Sequence, residues 1–137
     1  MIRKMIALVI LVVCSREAIC QQSESYASSH GKVVYEKTCL TCHQAGGGGV
    51  PHMNPPLIHA GLVNGNKKKL IEWVLRGSSA QVPIDGKYYS NNMPSQTVLS
   101  DRDIAEVLTY IRSHFENNAS AISSVEVRTV RDSLKLK

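Results

Sequence analysis

The five residues Cys39-Leu40-Thr41-Cys42-His43 form the pattern C-x-x-C-H. Two thiols at this spacing, followed directly by an imidazole, are typical of c-type haem attachment, in which each thiol forms a thioether bond to the porphyrin. The adjacent histidine then supplies the proximal axial ligand of the iron. The motif therefore predicts one haem c, bound covalently through Cys39 and Cys42 and ligated by His43.

Two other kinds of site use closely spaced cysteines. A thioredoxin-like thiol oxidoreductase places C-x-x-C at the end of a strand in a βαβ unit, and no strand pattern precedes Cys39. A tetrahedral zinc site requires four Cys or His ligands, commonly in two spaced pairs, and the chain has no second close cysteine pair. Both patterns fit the sequence less well than haem attachment.

A second axial ligand must come from elsewhere in the chain, and Met93 is the first candidate. It lies in Tyr88–Pro94, which has neither helical nor strand periodicity, and Pro94 restricts the backbone of Met93. A stiff loop suits a weak thioether–iron bond, since a flexible loop would lose the bond to entropy. The alternative role for Met93 is to fill a gap in the core. The other candidate ligands, which we rank lower, are Met53, His30, His52, His59 and His114. Either His52 or His59 would give bis-histidine ligation together with His43.

The N-terminus resembles a secretory signal. Arg3 and Lys4 precede nine uninterrupted apolar residues, Met5–Val13, which are too few to span a membrane as a helix. We predict a signal peptide over residues 1–20, followed by a flexible segment over 21–28. A lipoprotein acylated at Cys14 or Cys20 is the alternative, disfavoured because bulky Val13 and Ile19 precede those cysteines. An exported, periplasmic protein is the expectation, with no membrane span in the mature chain.

Composition indicates a single globular domain over residues 29–137. The full chain of 137 residues carries a net charge of +5, and its aromatic content is only 5%. So few aromatic side chains suggest that a porphyrin fills part of the core and that the chain folds poorly without it. Because no arginine-rich run or closely spaced aromatic pattern is present, nucleic-acid binding is not expected.

The apolar periodicity predicts an all-α fold. Four helices are expected: one over about residues 30–38 capped by Ser29, Lys67–Arg76 between Asn66 and Gly77, Asp101–Phe115 capped by Ser100, and a short helix after Ser123. The last of these lies in a C-terminal extension over residues 118–137. The only feature that suggests β-structure is a candidate hairpin turn at Asp85-Gly86.

Together these residues resemble the class I c-type cytochromes, over about residues 28–118. Gly31 and Tyr35 precede Cys39 as the small and aromatic residues of that family's first helix do, and Tyr110 is similar to the aromatic residue of its last helix. The resemblance implies three to five helices around one covalently attached haem. It also implies that Gly31 lets the first helix cross the last one closely, near Tyr110.

Two further segments extend the resemblance. Asn54-Pro55-Pro56-Leu57 looks like the family's G-P-x-L segment, which implies that the Pro55 carbonyl accepts the Nδ1–H of His43. Val82–Gly86, Met93-Pro94 and the tail Ser123–Arg131 look more loosely like monohaem domains that accompany bacterial quinoprotein sugar dehydrogenases.

These features lead to an expected function. We predict a periplasmic electron carrier, not an enzyme, that relays single electrons from a dehydrogenase to an oxidase or another cytochrome. The alternative is a haem-based ligand sensor or peroxidase-like enzyme with an open sixth coordination site, which requires that Met93 does not bind iron. Lys67, Lys68 and Lys69 form either a docking patch for an acidic partner or simply a solvated helix face.

Overall fold

The structure, a computed structural model, describes residues 29–79 and 83–136. Within them the chain forms six helices, of which α2 and α3 are single turns: α1 over residues 29–38, α2 Leu40–His43, α3 Gly61–Asn64, α4 Lys67–Arg76, α5 Asp101–Ser113 and α6 Ser124–Ser133. In the same residues the β-structure is limited to isolated bridges, one of which closes the expected turn between Ile84 and Lys87. The all-α prediction is confirmed. The predicted signal peptide and the segment 21–28 lie outside the described residues.

Helices α1 and α5 cross in close contact at Gly31. A Cβ atom built on Gly31 would lie 2.1 Å from the Glu106 carbonyl oxygen and 2.9 Å from the Tyr110 Cβ, so only glycine fits at this crossing. One turn further along α1, the rings of Tyr35 and Tyr110 lie 5.7 Å apart. The close crossing that the family resemblance implied is therefore present.

Helix boundaries follow the predicted caps with two corrections. The cap residues Asn66 and Ser100 accept hydrogen bonds from backbone amides in α4 and α5, as expected. Ser29 is already helical, so α1 includes the residue that was expected to precede it. Helix α5 ends at Ser113 rather than at Phe115, because the backbone of His114 is extended and Phe115 follows with a positive φ of 55° that a right-handed helix does not allow.

The C-terminal extension is an integral part of the core. Helix α6 packs against both α4 and α5, and its Val127 and Val130 are buried. It begins with a capping box formed by Ser123 and Glu126. Glu126 also accepts a hydrogen bond from Lys67 at 3.2 Å, which gives one of the three consecutive lysines a structural partner.

Candidate functional site

The helices and loops surround one large cleft, here called the central cavity. It has a cavity volume of about 120 Å³, at the bottom of a wider cleft of about 1210 Å³ that includes open solvent. Apolar side chains from α3, α4 and α5, among them Val63, Leu70 and Leu108, form much of its wall. All five predicted site residues line it: Cys39, Cys42, His43, Pro55 and Met93.

His43 is held in a single orientation and tautomer. Its side chain is buried, and its Nδ1 lies 3.0 Å from the Pro55 carbonyl oxygen. Because a carbonyl only accepts hydrogen bonds, Nδ1 carries the proton and Nε2 keeps a free lone pair. Burial lowers the pKa of His43, against the opposing effect of the Pro55 hydrogen bond. The imidazole is therefore neutral at physiological pH and competent to bind a metal.

The glycine-rich turn after α2 supports this hydrogen bond. The Gly49 amide donates to the His43 carbonyl at 3.0 Å, and Gly49 has a positive φ of 66°. A Cβ atom built on Gly49 would lie 2.6 Å from the Pro55 carbonyl oxygen. The turn thus requires glycine at this position, so that the Pro55 carbonyl can approach His43.

The two cysteines follow directly from α1. The Cys39 amide donates to the Tyr35 carbonyl at 2.9 Å, which continues the turn geometry of α1 into α2. Burial raises the pKa of the Cys39 thiol. A nucleophilic thiol of the thioredoxin type needs a lowered pKa, so this environment does not favour thiol–disulfide chemistry.

Met93 is fastened to the C-terminal end of α4. Its backbone exchanges two hydrogen bonds with Ser78, at 2.9 and 3.0 Å. The Ser95 hydroxyl donates to the Leu75 carbonyl at 2.7 Å, which holds the following residues of the Met93 segment (residues 93–99). Gly77 has a positive φ, and a Cβ atom built there would lie 2.3 Å from the Met93 carbonyl oxygen. Glycine at this position therefore allows the segment to lie against the end of α4.

The loops on the two sides of the cavity are also joined to each other. The Asn91 side-chain amide donates to Oδ1 of the buried Asn54 at 3.1 Å, and the Asn91 backbone amide donates to the Met53 carbonyl at 3.1 Å. The Ser90 amide donates to the His52 carbonyl at 2.9 Å. These three bonds connect the loop that precedes Pro55 to the loop that carries Met93.

The lower-ranked ligand candidates lie outside the central cavity: Met53, His30, His52, His59 and His114. The Met53 side chain is 46% exposed, and His59 pairs with Glu116 at 3.0 Å. His30 contacts Glu106 at the α1–α5 crossing, and His114 Nδ1 donates to the Tyr110 carbonyl. Among the described residues, only His43 and Met93 bring a histidine and a methionine to the cavity wall.

This arrangement fits a covalently attached haem. The cavity presents two thiols, an imidazole with a free lone pair and a thioether within an otherwise mostly apolar wall, which suits a porphyrin and its iron. In residues 29–79 and 83–136 no group of three or more His, Cys, Asp or Glu side chains could hold a metal ion by itself. The donor set therefore suits a haem iron better than a zinc ion.

Comparison with known proteins agrees with the site. The cytochrome c family matches residues 28–115. The chain belongs to this family. As in other family members, the cofactor is haem c held covalently through cysteines, and the function is electron transfer by the haem iron. The class I c-type fold is thereby confirmed.

Individual cytochromes show similarity over most of the chain. Two cytochrome c-552 sequences of Thermus thermophilus are 30% and 31% identical to it, covering 81% and 78% of this chain and 76% and 83% of their own lengths. The fructose dehydrogenase cytochrome subunit of Gluconobacter japonicus is 29% identical over 76% of this chain, which spans 22% of that protein.

No helix within the described residues is long and apolar enough to cross a membrane.

Several residues that shape the site escaped the sequence analysis. Asn54 was noted only as part of a motif, although its side chain joins the two loops. Asn117 was not singled out at all, yet it is buried and donates to the Leu57 carbonyl beside the cavity at 3.0 Å. Gly77 was read as a helix stop, which it is, while its contact with Met93 depends on packing that no local pattern reveals.

Proposed function

We propose that the protein is a one-electron carrier whose haem iron is ligated by His43 and Met93. The observation that supports this most directly is that both side chains line the same cavity, while the other candidate ligands of the described chain lie outside it. When bound, haem c supplies a single iron that alternates between the ferric and ferrous states. His43 presents a fixed neutral imidazole, and Met93 presents a soft thioether that favours the ferrous state.

Ligation on both sides has a consequence for the class of protein. With His43 and Met93 bound, no coordination position is left for a substrate or a diatomic ligand. The hydrogen bonds that fasten Met93 to Ser78 favour a permanently seated ligand. We therefore propose a carrier that is not itself an enzyme, in preference to a sensor or peroxidase-like protein.

The cellular setting is also a proposal. The charged start and short apolar stretch of residues 1–20 support export to the periplasm. The likeness to the cytochrome subunit of a fructose dehydrogenase supports a dehydrogenase as electron donor, with an oxidase or another cytochrome as acceptor. Mass spectrometry of the mature protein tests export: the expected N-terminus follows residue 20, and an acylated cysteine would contradict the proposal.

The visible spectrum tests the ligands. The purified protein should give a low-spin haem c spectrum, show the weak far-red band of a methionine–ferric iron bond, and show no rapid spectral shift with carbon monoxide when reduced. Met93→Ala should abolish the band and allow carbon monoxide to bind, while the exposed Met53→Ala should behave as the unmodified protein does. A high-spin spectrum that shifts with carbon monoxide before any substitution would overturn the proposal in favour of an open site.

A low-spin spectrum without the far-red band would also contradict methionine ligation. In that case His52→Ala and His59→Ala would identify the histidine that replaces Met93. Both histidines lie on exposed loops, so neither substitution removes core packing.

A further inference from the structure

The C-terminal helix contacts the segment that carries Met93, and a single side chain makes much of this contact. Arg131 of α6 donates through Nη1 to the Thr97 carbonyl at 3.0 Å and through Nη2 to the Leu99 carbonyl at 2.8 Å. Leu99 itself lines the central cavity. Arg131 therefore holds the C-terminal half of the Met93 segment from outside the cavity.

The same guanidinium also holds the start of α5. Its Nε donates to Asp101 Oδ1 at 2.7 Å, and Asp101 lies in the first turn of that helix. A guanidinium is planar, so three acceptors bound to it are fixed relative to one another. The Arg131 side chain is only 13% exposed, and charged hydrogen bonds shielded in this way are stronger than those in open solvent.

The other half of the Met93 segment is held by α4. The Gln96 amide donates to the Val74 carbonyl at 3.1 Å, in addition to the bonds from Met93 and Ser95 described above. The segment is thus fastened by α4 at residues 93–96 and by α6 at residues 97–99. Helix α6 lies beyond residues 28–115, the part of the chain that the family matches.

We propose that Arg131 is a positioning residue for Met93, which keeps the thioether seated by fixing the backbone of residues 97–99 against α6. This inference rests on the proposed ligation of iron by Met93. A freed segment gains conformational entropy, which competes directly with a weak thioether bond. Loss of the guanidinium should therefore weaken the bond between Met93 and the iron, although Arg131 itself does not line the cavity.

The test uses the haem-loaded protein with Arg131→Ala. The rate at which carbon monoxide binds to the reduced protein reports how often Met93 leaves. We expect this rate to rise at least about tenfold, because three charge-assisted hydrogen bonds are lost. The far-red band of the oxidised protein should weaken in parallel. Arg131→Lys keeps the charge without the planar fork and should restore only part of the effect.

Two matched variants separate positioning from general stability. Arg128→Ala removes a neighbouring guanidinium that also binds Asp101, at 3.2 Å, but is 72% exposed and has no bond to residues 97–99. Val130→Ala opens a cavity under α6 and lowers the global stability without touching the Arg131 contacts. Both should bind carbon monoxide as slowly as the unmodified protein. Equal rates in Arg131→Ala and the unmodified protein, or an equal rise in Val130→Ala, would refute the proposal.

Amide hydrogen exchange measures the opening of the backbone directly, so it does not depend on whether Met93 ligates the iron. Exchange at Met93 and Gln96 should quicken in Arg131→Ala, while exchange in α1 stays unchanged. An unmodified protein that binds carbon monoxide as fast as Met93→Ala does would refute ligation by Met93. Unchanged exchange in Arg131→Ala would refute the role of Arg131 itself, so the two failures are distinguishable.

Discussion

The two sides of the central cavity are held in different ways. On the His43 side the supports are close in sequence: Pro55 follows His43 by 12 positions, and Gly49 lies between them. On the Met93 side the supports are remote: Ser95 bonds Leu75 at 20 positions' distance, and Leu99 bonds Arg131 at 32. A local motif thus builds one side, whereas the other exists only when three helices have packed. The difference predicts that, once the haem is attached, loss of a backbone support displaces Met93 more readily than His43, which the two thioether bonds also hold near the iron.

The largest effect is expected from removal of the haem attachment. The double variant Cys39→Ala, Cys42→Ala should hold no haem covalently and lose most of its helical signal in circular dichroism. An empty apolar cavity costs about 24 cal/mol per Å³, so leaving the cavity volume of about 120 Å³ unfilled would cost about 3 kcal/mol, in addition to the lost contacts between the porphyrin and its apolar wall. This is a large part of the roughly 5–15 kcal/mol by which domains are stable.

Met93→Ala is the matched comparison, because it damages the opposite side alone. It should keep the haem covalently attached and retain its helical signal. A double cysteine variant with full native helicity would show that the polypeptide maintains its core without the porphyrin.

The next largest effect is expected at Gly77. Gly77→Ala places a Cβ atom against the Met93 carbonyl and imposes a backbone conformation that costs about 1–3 kcal/mol for a residue other than glycine. We expect a total loss of at least about 3 kcal/mol in the free energy of unfolding, together with loss of the far-red band.

Gly48→Ala serves as the control, because a Cβ atom there would meet nothing within 4 Å. Its unfolding free energy should change by less than about 0.5 kcal/mol. Denaturant titration of the holoproteins measures both values. An intact far-red band in Gly77→Ala would mean that Met93 does not depend on the end of α4.

A smaller and different effect is expected at Gly49. Gly49→Ala forces the Pro55 carbonyl away from His43, with a cost of about 1–3 kcal/mol, while the two thioether bonds keep the imidazole near the iron. A weaker hydrogen bond to Nδ1 makes the imidazole less electron-rich, so voltammetry should record a higher reduction potential. The far-red band should persist, in contrast to Gly77→Ala. Loss of the band would show that the two sides are not independent.

The smallest effect is expected where the two sides are joined. Asn91→Ala leaves the buried Asn54 Oδ1 without its hydrogen bond, at a cost of about 1–3 kcal/mol. Asn54→Gly removes the acceptor itself, so no buried oxygen is left without a hydrogen bond. The double variant should therefore be little less stable than Asn54→Gly alone. A double-mutant cycle of unfolding free energies gives the coupling. Strict additivity of the two substitutions would mean that the side chains act separately.

The same contrast explains how much of the structure the sequence could predict. Helices α4 and α6 and the start of α5 were predicted with their caps, because the cap residues, apolar stripes and C-terminal glycine all lie within a few positions of each other. The His43 side was equally accessible, since its motif and the segment containing Pro55 are local. The prediction failed at the end of α5, where the positive φ of Phe115 has no signal in the apolar periodicity.

The supports of Met93 could not have been predicted in this way. Pro94 indicated a restricted loop, but the hydrogen bonds that hold this loop reach Ser78, Leu75 and Arg131. In the sequence, nothing distinguishes Arg131 from the other charged residues of a surface helix. Its contacts arise only because α6 packs against α4 and α5. The tail was expected as an extension, and only its packing reveals that it belongs to the core.

The position of Arg131 also sets the order in which the cavity becomes complete as the polypeptide is synthesised. The cysteines, His43 and Pro55 emerge together, within one short stretch of nascent chain. The bond from Arg131 to Leu99 cannot form until 32 further residues have followed Leu99. The side of the cavity that carries Met93 therefore gains its last support later than the side that carries His43, when α6 packs against α4 and α5.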